Sequence, residues 1–119
     1  MKTPFPSDDD LFHRDLLPGV GLDLVWGERI MLSRVTIEPD GVVPLHRHEH
    51  EQAGVCLSGE FDLEVDGETR RIRPGQLYLI PGGTAHAARG VGVRCVTLDI
   101  FSPPRDDYKP GAEPTVRQE

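Results

Sequence analysis

Basic residues are scarce in this 119-residue chain: 13 lysines and arginines stand against 20 aspartates and glutamates, for a net charge of −7. Such a balance repels a phosphate backbone or an anionic membrane surface, so neither nucleic acid nor membrane is an expected partner. Cysteine is scarcer, with only Cys56 and Cys95. Both sit inside apolar runs without CxxC spacing, which favours buried free thiols and leaves a disulfide open. Long hydrophobic runs are missing as well: none approaches membrane-spanning length, and "MKTPFPSDDD" turns polar at once instead of forming a secretory apolar region. A soluble, cytoplasmic protein is the expectation. Helical signals are also wanting, because no segment carries a capped apolar stripe and 13 glycines and 11 prolines interrupt the chain too often for long helices.

What is present has a period of two. In "EFDLEVDGETRRIRPG", Phe61, Leu63 and Val65 alternate with Asp62, Glu64 and Asp66, and Asp66-Gly67 supplies a type I′ hairpin turn. Further short β-rich runs, "LDLVWG", "RIMLSRVTIE", "QAGVCLSG", "QLYLIPG" and "GVRCVTLDIF", are each bounded by Gly, Pro or Asp. An all-β antiparallel barrel or sandwich follows, as one domain. Residues 1–103 are expected to form it. Residues 104–119, rich in proline, glycine and charge, are expected to be a partly mobile C-terminal extension.

Three of the five histidines fall at alternate positions in "LHRHEHEQAG". Side chains two apart on a strand share a face at about 6–7 Å spacing, so His46 and His48 can present two imidazoles to one ion. On a straight strand His50 would lie roughly 13 Å from His46, too far to share it. Taken alone, the cluster is as well explained by a polar strand end. A second segment, "PGQLYLIPGGTAH", runs an apolar strand into the Pro81-Gly82-Gly83 turn and delivers His86, which in isolation would be an ordinary histidine.

Together the two segments resemble the paired motifs of the cupin superfamily. The first is met by Gly41, His46, His48, Gln52 and Gly59, with one residue fewer between Gly41 and His46 and with glutamine where the pattern has glutamate. The second is met by Gly75, Pro81, Gly83 and His86, with Gly90 in place of the closing asparagine. The resemblance covers about residues 29–101. It implies a double-stranded β-helix, the cupin or jelly-roll barrel, often homodimeric, in which His46, His48, Gln52 and His86 hold one divalent metal such as zinc, nickel, manganese or iron. Three neutral imidazoles and a neutral amide would leave the ion its full charge, making it a stronger Lewis acid but a more weakly held one.

The run "TLDIFSPPRDDY" adds a second clue. Cys95, Thr97, Asp99 and Phe101 share one strand face while Val96, Leu98 and Ile100 share the other, so an aspartate is expected to line the cavity. Asp99 could equally be satisfied by an arginine or by backbone donors, Phe101 could be simple core packing, and Arg105 a solvated loop residue. With the glutamine-ended histidine cluster, this run resembles the small single-domain cupins of the KdgF type, which linearise 4,5-unsaturated uronates. That resemblance implies Asp99 as general acid/base, Arg105 in two-point contact with the substrate carboxylate, and Phe101 as a wall for the sugar ring. The implied function is an isomerase-type ring opening of a small carboxylate sugar to 5-keto-4-deoxyuronate. The competing readings are a cupin dioxygenase using a redox metal at the same residues, and a non-enzymatic sugar-binding module. Whether Arg34, Tyr78 or Trp26 reaches the cavity depends on strand register and stays open.

Overall fold

A computed structural model describes residues 3–116. Ten strands run β1 Phe12–Leu17, β2 Val20–Trp26, β3 Met31–Ile37, β4 Val42–His46, β5 Glu51–Ser58, β6 Phe61–Val65, β7 Glu68–Ile72, β8 Leu77–Ile80, β9 His86–Gly90 and β10 Cys95–Ser102. They form two antiparallel sheets, one ordered β1-β2-β3-β10-β5-β8 and the other β4-β9-β6-β7. This is the all-β, double-stranded β-helix architecture expected from the sequence. Among the described residues no helix is long and apolar enough to cross a membrane.

Alternation places the core. On β2, Val20, Leu22 and Leu24 are buried, and on β10, Cys95, Thr97 and Phe101, so each strand turns its odd or even set inward against the facing sheet. Val96, Leu98 and Ile100 take the other face of β10. The hairpin between β6 and β7 closes as the sequence predicts: Asp66 (φ 51°) and Gly67 (φ 83°) both lie in the left-handed region that a type I′ turn requires. Cys56 and Cys95 are both buried free thiols, with their sulfurs 4.0 Å apart.

Two strands carried no legible signal. β1 ("FHRDLL") and β9 ("HAARG") have no apolar alternation, and they are strands because the neighbours β2, β4 and β6 hydrogen-bond to them. The histidine cluster differs from expectation too. The strand ends at His46, His48 lies in the connection from β4 to β5, and Gln52 already belongs to β5 in the other sheet.

The extension beyond Pro103, expected to be partly mobile, contains buried Pro104, Arg105, Tyr108, Pro114 and Val116. From β1, the Arg14 guanidinium donates to the carbonyls of Tyr108 (3.0 Å), Lys109 (3.3 Å) and Ala112 (3.3 Å). Composition hides this, since one arginine and one tyrosine supply the anchorage that a run of apolar residues would otherwise advertise. Residues 117–119, part of the same expectation, lie outside the described residues.

Candidate functional site

The site is assembled where the two sheets face one another. His46 on β4 and His86 on β9 are register partners in the four-stranded sheet. Gln52 on β5 and Phe101 on β10 are register partners in the six-stranded one, and His48 sits on the chain that passes between the sheets. The Pro81-Gly82-Gly83 turn ties the two motifs together: the amide of Gly83 (φ 80°) donates to the His48 carbonyl at 2.7 Å. The Gly82 Cα lies so near the Glu49 carbonyl that a side chain there would collide with it.

The three imidazoles converge. Ring centroids are 4.3 Å apart for His46 and His86, 4.8 Å for His48 and His86, and 5.6 Å for His46 and His48. Their ligand atoms all lie within 4.8 Å of one another, a spacing that one ion can bridge. His50 is outside this group, its ring 5.5 Å from that of His48. His46 ends β4, His48 follows in the connection to β5 and His86 opens β9, so the three meet without sharing one straight strand.

Each ring is oriented by its other nitrogen. Nδ1 of His46 donates to the Pro44 carbonyl (2.8 Å), Nδ1 of His86 to the Thr84 carbonyl (2.8 Å), and Nδ1 of His48 to the His50 carbonyl (3.1 Å). That tautomer leaves every Nε2 with a lone pair turned toward the common point, the arrangement a metal-binding histidine needs. Nε2 of His86 is buried and has no hydrogen-bond partner. Gln52 adds an oxygen: its Nε2 donates to Asp99 Oδ2 at 3.2 Å, which turns its Oε1 toward His48 Nε2 at 3.1 Å. Two acceptors then face each other beside an orphaned third, a disposition that a cation would satisfy. The donor set fits a divalent first-row metal.

Electrostatics agree with that assignment. Burial, with lesser repulsion from neighbouring histidines and Arg105, pushes the imidazole of His46 down to about 4 and that of His48 to about 3; His86 moves in the same direction. All three are therefore neutral at pH 7, as ligands must be.

Beside the histidines a cavity of about 60 Å³ is lined by Gln52, His86, Asp99, Phe101 and Arg105 together with apolar side chains such as Leu22 and Val35. Asp99 faces it, as the strand alternation predicts. Burial raises the carboxyl to about 6, against the hydrogen bonds from Tyr78 and Gln52 that lower it. Arg105, expected to reach a ligand with two nitrogens, is otherwise engaged. It is 1 % exposed, and its Nε and Nη2 grip Asp107 at 2.9 and 2.8 Å. Nη1 alone is buried without a partner, leaving one point of contact in place of two. The guanidinium lies over the Tyr108 ring (4.1 Å) and the Phe101 ring (5.3 Å), so Phe101 is at once core packing and cavity wall.

Two residues of the site were not assigned from sequence. Ser33, opposite Asp99 on β3, is fully buried and lines the cavity with its hydroxyl unpartnered. Tyr78 on β8 reaches inward to donate its hydroxyl to Asp99 Oδ1. The alternation of "QLYLI", with Tyr78 between two leucines, carries the signal: Leu77 and Leu79 are exposed and Tyr78 is turned inward. Arg34 points away from the cavity, paired with Asp23 and Asp8.

Comparison with known proteins agrees with this geometry. The chain is 25 % identical over 103 residues to the pectin degradation protein KdgF of Dickeya dadantii, spanning 85 % of this chain and 94 % of that one. It is 32 % identical over 110 residues to the H2HPP isomerase of Bacillus subtilis, covering 85 % of this chain but only 46 % of that protein. The solved structure of KdgF from Halomonas superposes with a TM-score of 0.82 at 30 % identity, over 91 % of this chain and all of that one. The cupin domain model matches residues 33–101, the stretch that carries the histidines, Gln52 and Asp99. The chain belongs to the cupin family and, within it, is similar to the KdgF proteins.

Proposed function

We propose that this chain is a metal-dependent enzyme that opens the ring of a 4,5-unsaturated uronate to give a 5-keto-4-deoxyuronate. The observation that carries the reading is that three clustered imidazoles and a neutral amide oxygen adjoin a cavity lined by a carboxyl group held near 6 and an arginine with one unpartnered nitrogen. Similarity to KdgF supports the substrate class, and similarity to an isomerase supports a reaction without gain or loss of atoms.

His46, His48, His86 and Gln52 would hold the divalent ion. Bound there, it would supply Lewis acidity toward an anionic oxygen, undiminished by any ligand charge. Asp99, as carboxylate, takes the proton of the C1 hydroxyl as C1 becomes an aldehyde and the C1–ring-oxygen bond breaks. The enolate released at C5 is then protonated on C4 as C5 becomes a ketone, with Asp99 as the acid that returns the proton. A carboxyl titrating near pH 6 can serve in both forms. Nη1 of Arg105 offers one charge-assisted hydrogen bond to the substrate carboxylate. Phe101 offers the ring a flat apolar face. The unpaired hydroxyl of Ser33 is a further donor or acceptor for a sugar oxygen.

The same reading includes a homodimer formed through the outer face of the six-stranded sheet, where Leu57, Leu77 and Leu79 are exposed. It also includes a cytoplasmic location, which two free thiols 4.0 Å apart favour, since a reducing compartment keeps such a pair open.

The test incubates metal-loaded protein with an unsaturated mono-uronate and follows loss of the alkene absorbance. Wild type should outpace the spontaneous rate, and Asp99→Ala and His48→Ala should not. Wild type at the spontaneous rate removes the uronate reading; full activity in Asp99→Ala removes the proton-transfer role.

A further inference from the structure

One row of register partners crosses the inner face of the six-stranded sheet: Leu24 on β2, Ser33 on β3, Asp99 on β10, Gly54 on β5 and Tyr78 on β8. Asp99 and Tyr78 are not on neighbouring strands. Strand β5 runs between them, and the residue of β5 in that row has no side chain. The Tyr78 ring lies across this gap. A Cβ on Gly54 would fall inside the van der Waals shell of the ring's Cε2, Cζ and Oη atoms. Glycine in the middle of a strand weakens it, so a packing requirement explains this one better than strand stability does.

The gap lets the phenol reach Asp99 Oδ1. Oδ2 is taken by the Gln52 amide, whose own oxygen faces His48. Both carboxylate oxygens are thus held by neutral donors, one from each side, and the carboxyl plane is fixed in the cavity wall. Burial and the adjacent carboxylate push the Tyr78 phenol upward, so the hydroxyl keeps its proton at neutral pH and remains a donor. The ring itself is steadied edge-on by Phe61 at 5.9 Å.

We propose that Tyr78, reaching over Gly54, is the positioning residue for Asp99: its hydroxyl and the Gln52 amide together set the orientation from which the carboxyl meets the substrate. The inference rests on the uronate reading for its kinetic consequence, but not for the contact itself. The role is distinct from that of Arg105, because Tyr78 acts through Asp99 and needs no contact with the sugar.

Two measurements test it. In Tyr78→Phe, which keeps the ring and its packing, kcat for the unsaturated uronate should fall about tenfold while KM stays within about twofold, as for loss of one hydrogen bond to a charged group. An unchanged kcat, or a loss carried by KM, overturns the proposal. Independently of any activity, proton NMR of the wild-type protein should show a low-field hydroxyl resonance that vanishes in both Tyr78→Phe and Asp99→Ala. Its absence from wild type, or its survival in either variant, overturns the proposal as well. If wild type proves inactive on the uronate while the resonance behaves as expected, the substrate reading fails and the Tyr78–Asp99 contact stands. Gly54→Ala should abolish the resonance by displacing the ring, and its persistence there would refute the requirement for glycine.

Discussion

Gln52 is the residue that links the candidate metal centre to the candidate acid. Its amide turns an acceptor toward His48 and a donor toward Asp99 at once, which an ionised carboxylate could not do. Glutamate at this position would set two carboxylates side by side, 3.2 Å apart by the present geometry, and one of them would hold its proton to a higher pH. Gln52→Glu should therefore bind a divalent metal more tightly, because a charged ligand joins three neutral ones, and yet turn over more slowly, by about tenfold or more. Calorimetric metal titration beside the alkene assay checks both signs. Weaker metal binding by the glutamate variant would argue against Gln52 as a ligand.

The buried imidazoles also predict how the metal-free protein responds to acid. Unfolded histidines take up a proton near 6.5, whereas folded His46 and His48 resist until about 4 and about 3. Between pH 6.5 and about 4 the unfolded state binds protons that the folded state refuses, so stability falls as pH falls. Asp99 works the other way, because its carboxyl is raised from 3.8 to about 6 and acidification through that window favours the folded form. Four histidines are depressed, His50 among them, and they outweigh the raised carboxyl of Asp99 and the raised imidazole of His13. The melting temperature of the metal-free protein should be several degrees lower at about pH 5 than at about pH 7.5, and a rise instead would contradict the buried, neutral trio.

At the scale of elements, the C-terminal extension is fastened by a few polar contacts. Arg105 is buried between Phe101 and Tyr108 and paired with Asp107, whose carboxyl is held down at about 2 because the bonds from Arg105 and Thr115 outweigh the cost of burial. Removing the partner leaves a buried, uncompensated guanidinium. Asp107→Ala should cost about 3 kcal/mol, at the low end for a broken buried pair because Asp107 is itself partly exposed. Differential scanning calorimetry together with limited proteolysis after residue 103 reads this out. Cleavage there should become faster than in wild type; an unchanged pattern would mean that Arg14 alone secures the segment. The same substitution frees Arg105, so its effect on KM tests whether Nη1 serves substrate from a fixed position.

At the scale of the molecule, the six-stranded sheet ends in β8, an edge strand whose outward residues Leu77 and Leu79 are 78 % and 63 % exposed. Their register neighbours on β5 are Val55 and Ala53, and on β10 Leu98 and Ile100, so two apolar rows run across the outer surface. Surface of this kind on an edge strand invites association. Sedimentation should find a dimer for the wild-type chain and a monomer for the Leu77→Lys/Leu79→Glu double variant, with the latter retaining its fold by circular dichroism. A monomeric wild type would remove the homodimer from the proposal.

Much of this was legible in the chain. Alternation in "EFDLEV" and "CVTLDIF" placed side chains on the correct faces because strand periodicity is a local property of the backbone. The convergence of His46, His48, Gln52 and His86 was implied by the resemblance of two separated segments to the cupin motifs, not by strand periodicity. What the sequence could not carry was set by strand register and by side-chain packing. Strands β1 and β9 exist because their neighbours pair with them, Arg105 is half-spent on Asp107, and Tyr78 reaches Asp99 only because Gly54 lies between them. The residues alone determined the fold class, because strand alternation is a short-range pattern, and the resemblance to the cupin motifs implied the candidate ligands. Tertiary structure decided which groups hold Asp99, because Gln52 and Tyr78 lie on strands far apart in the chain, and how many donors Arg105 has left, because the fold of the extension sets Asp107 and Thr115 against it.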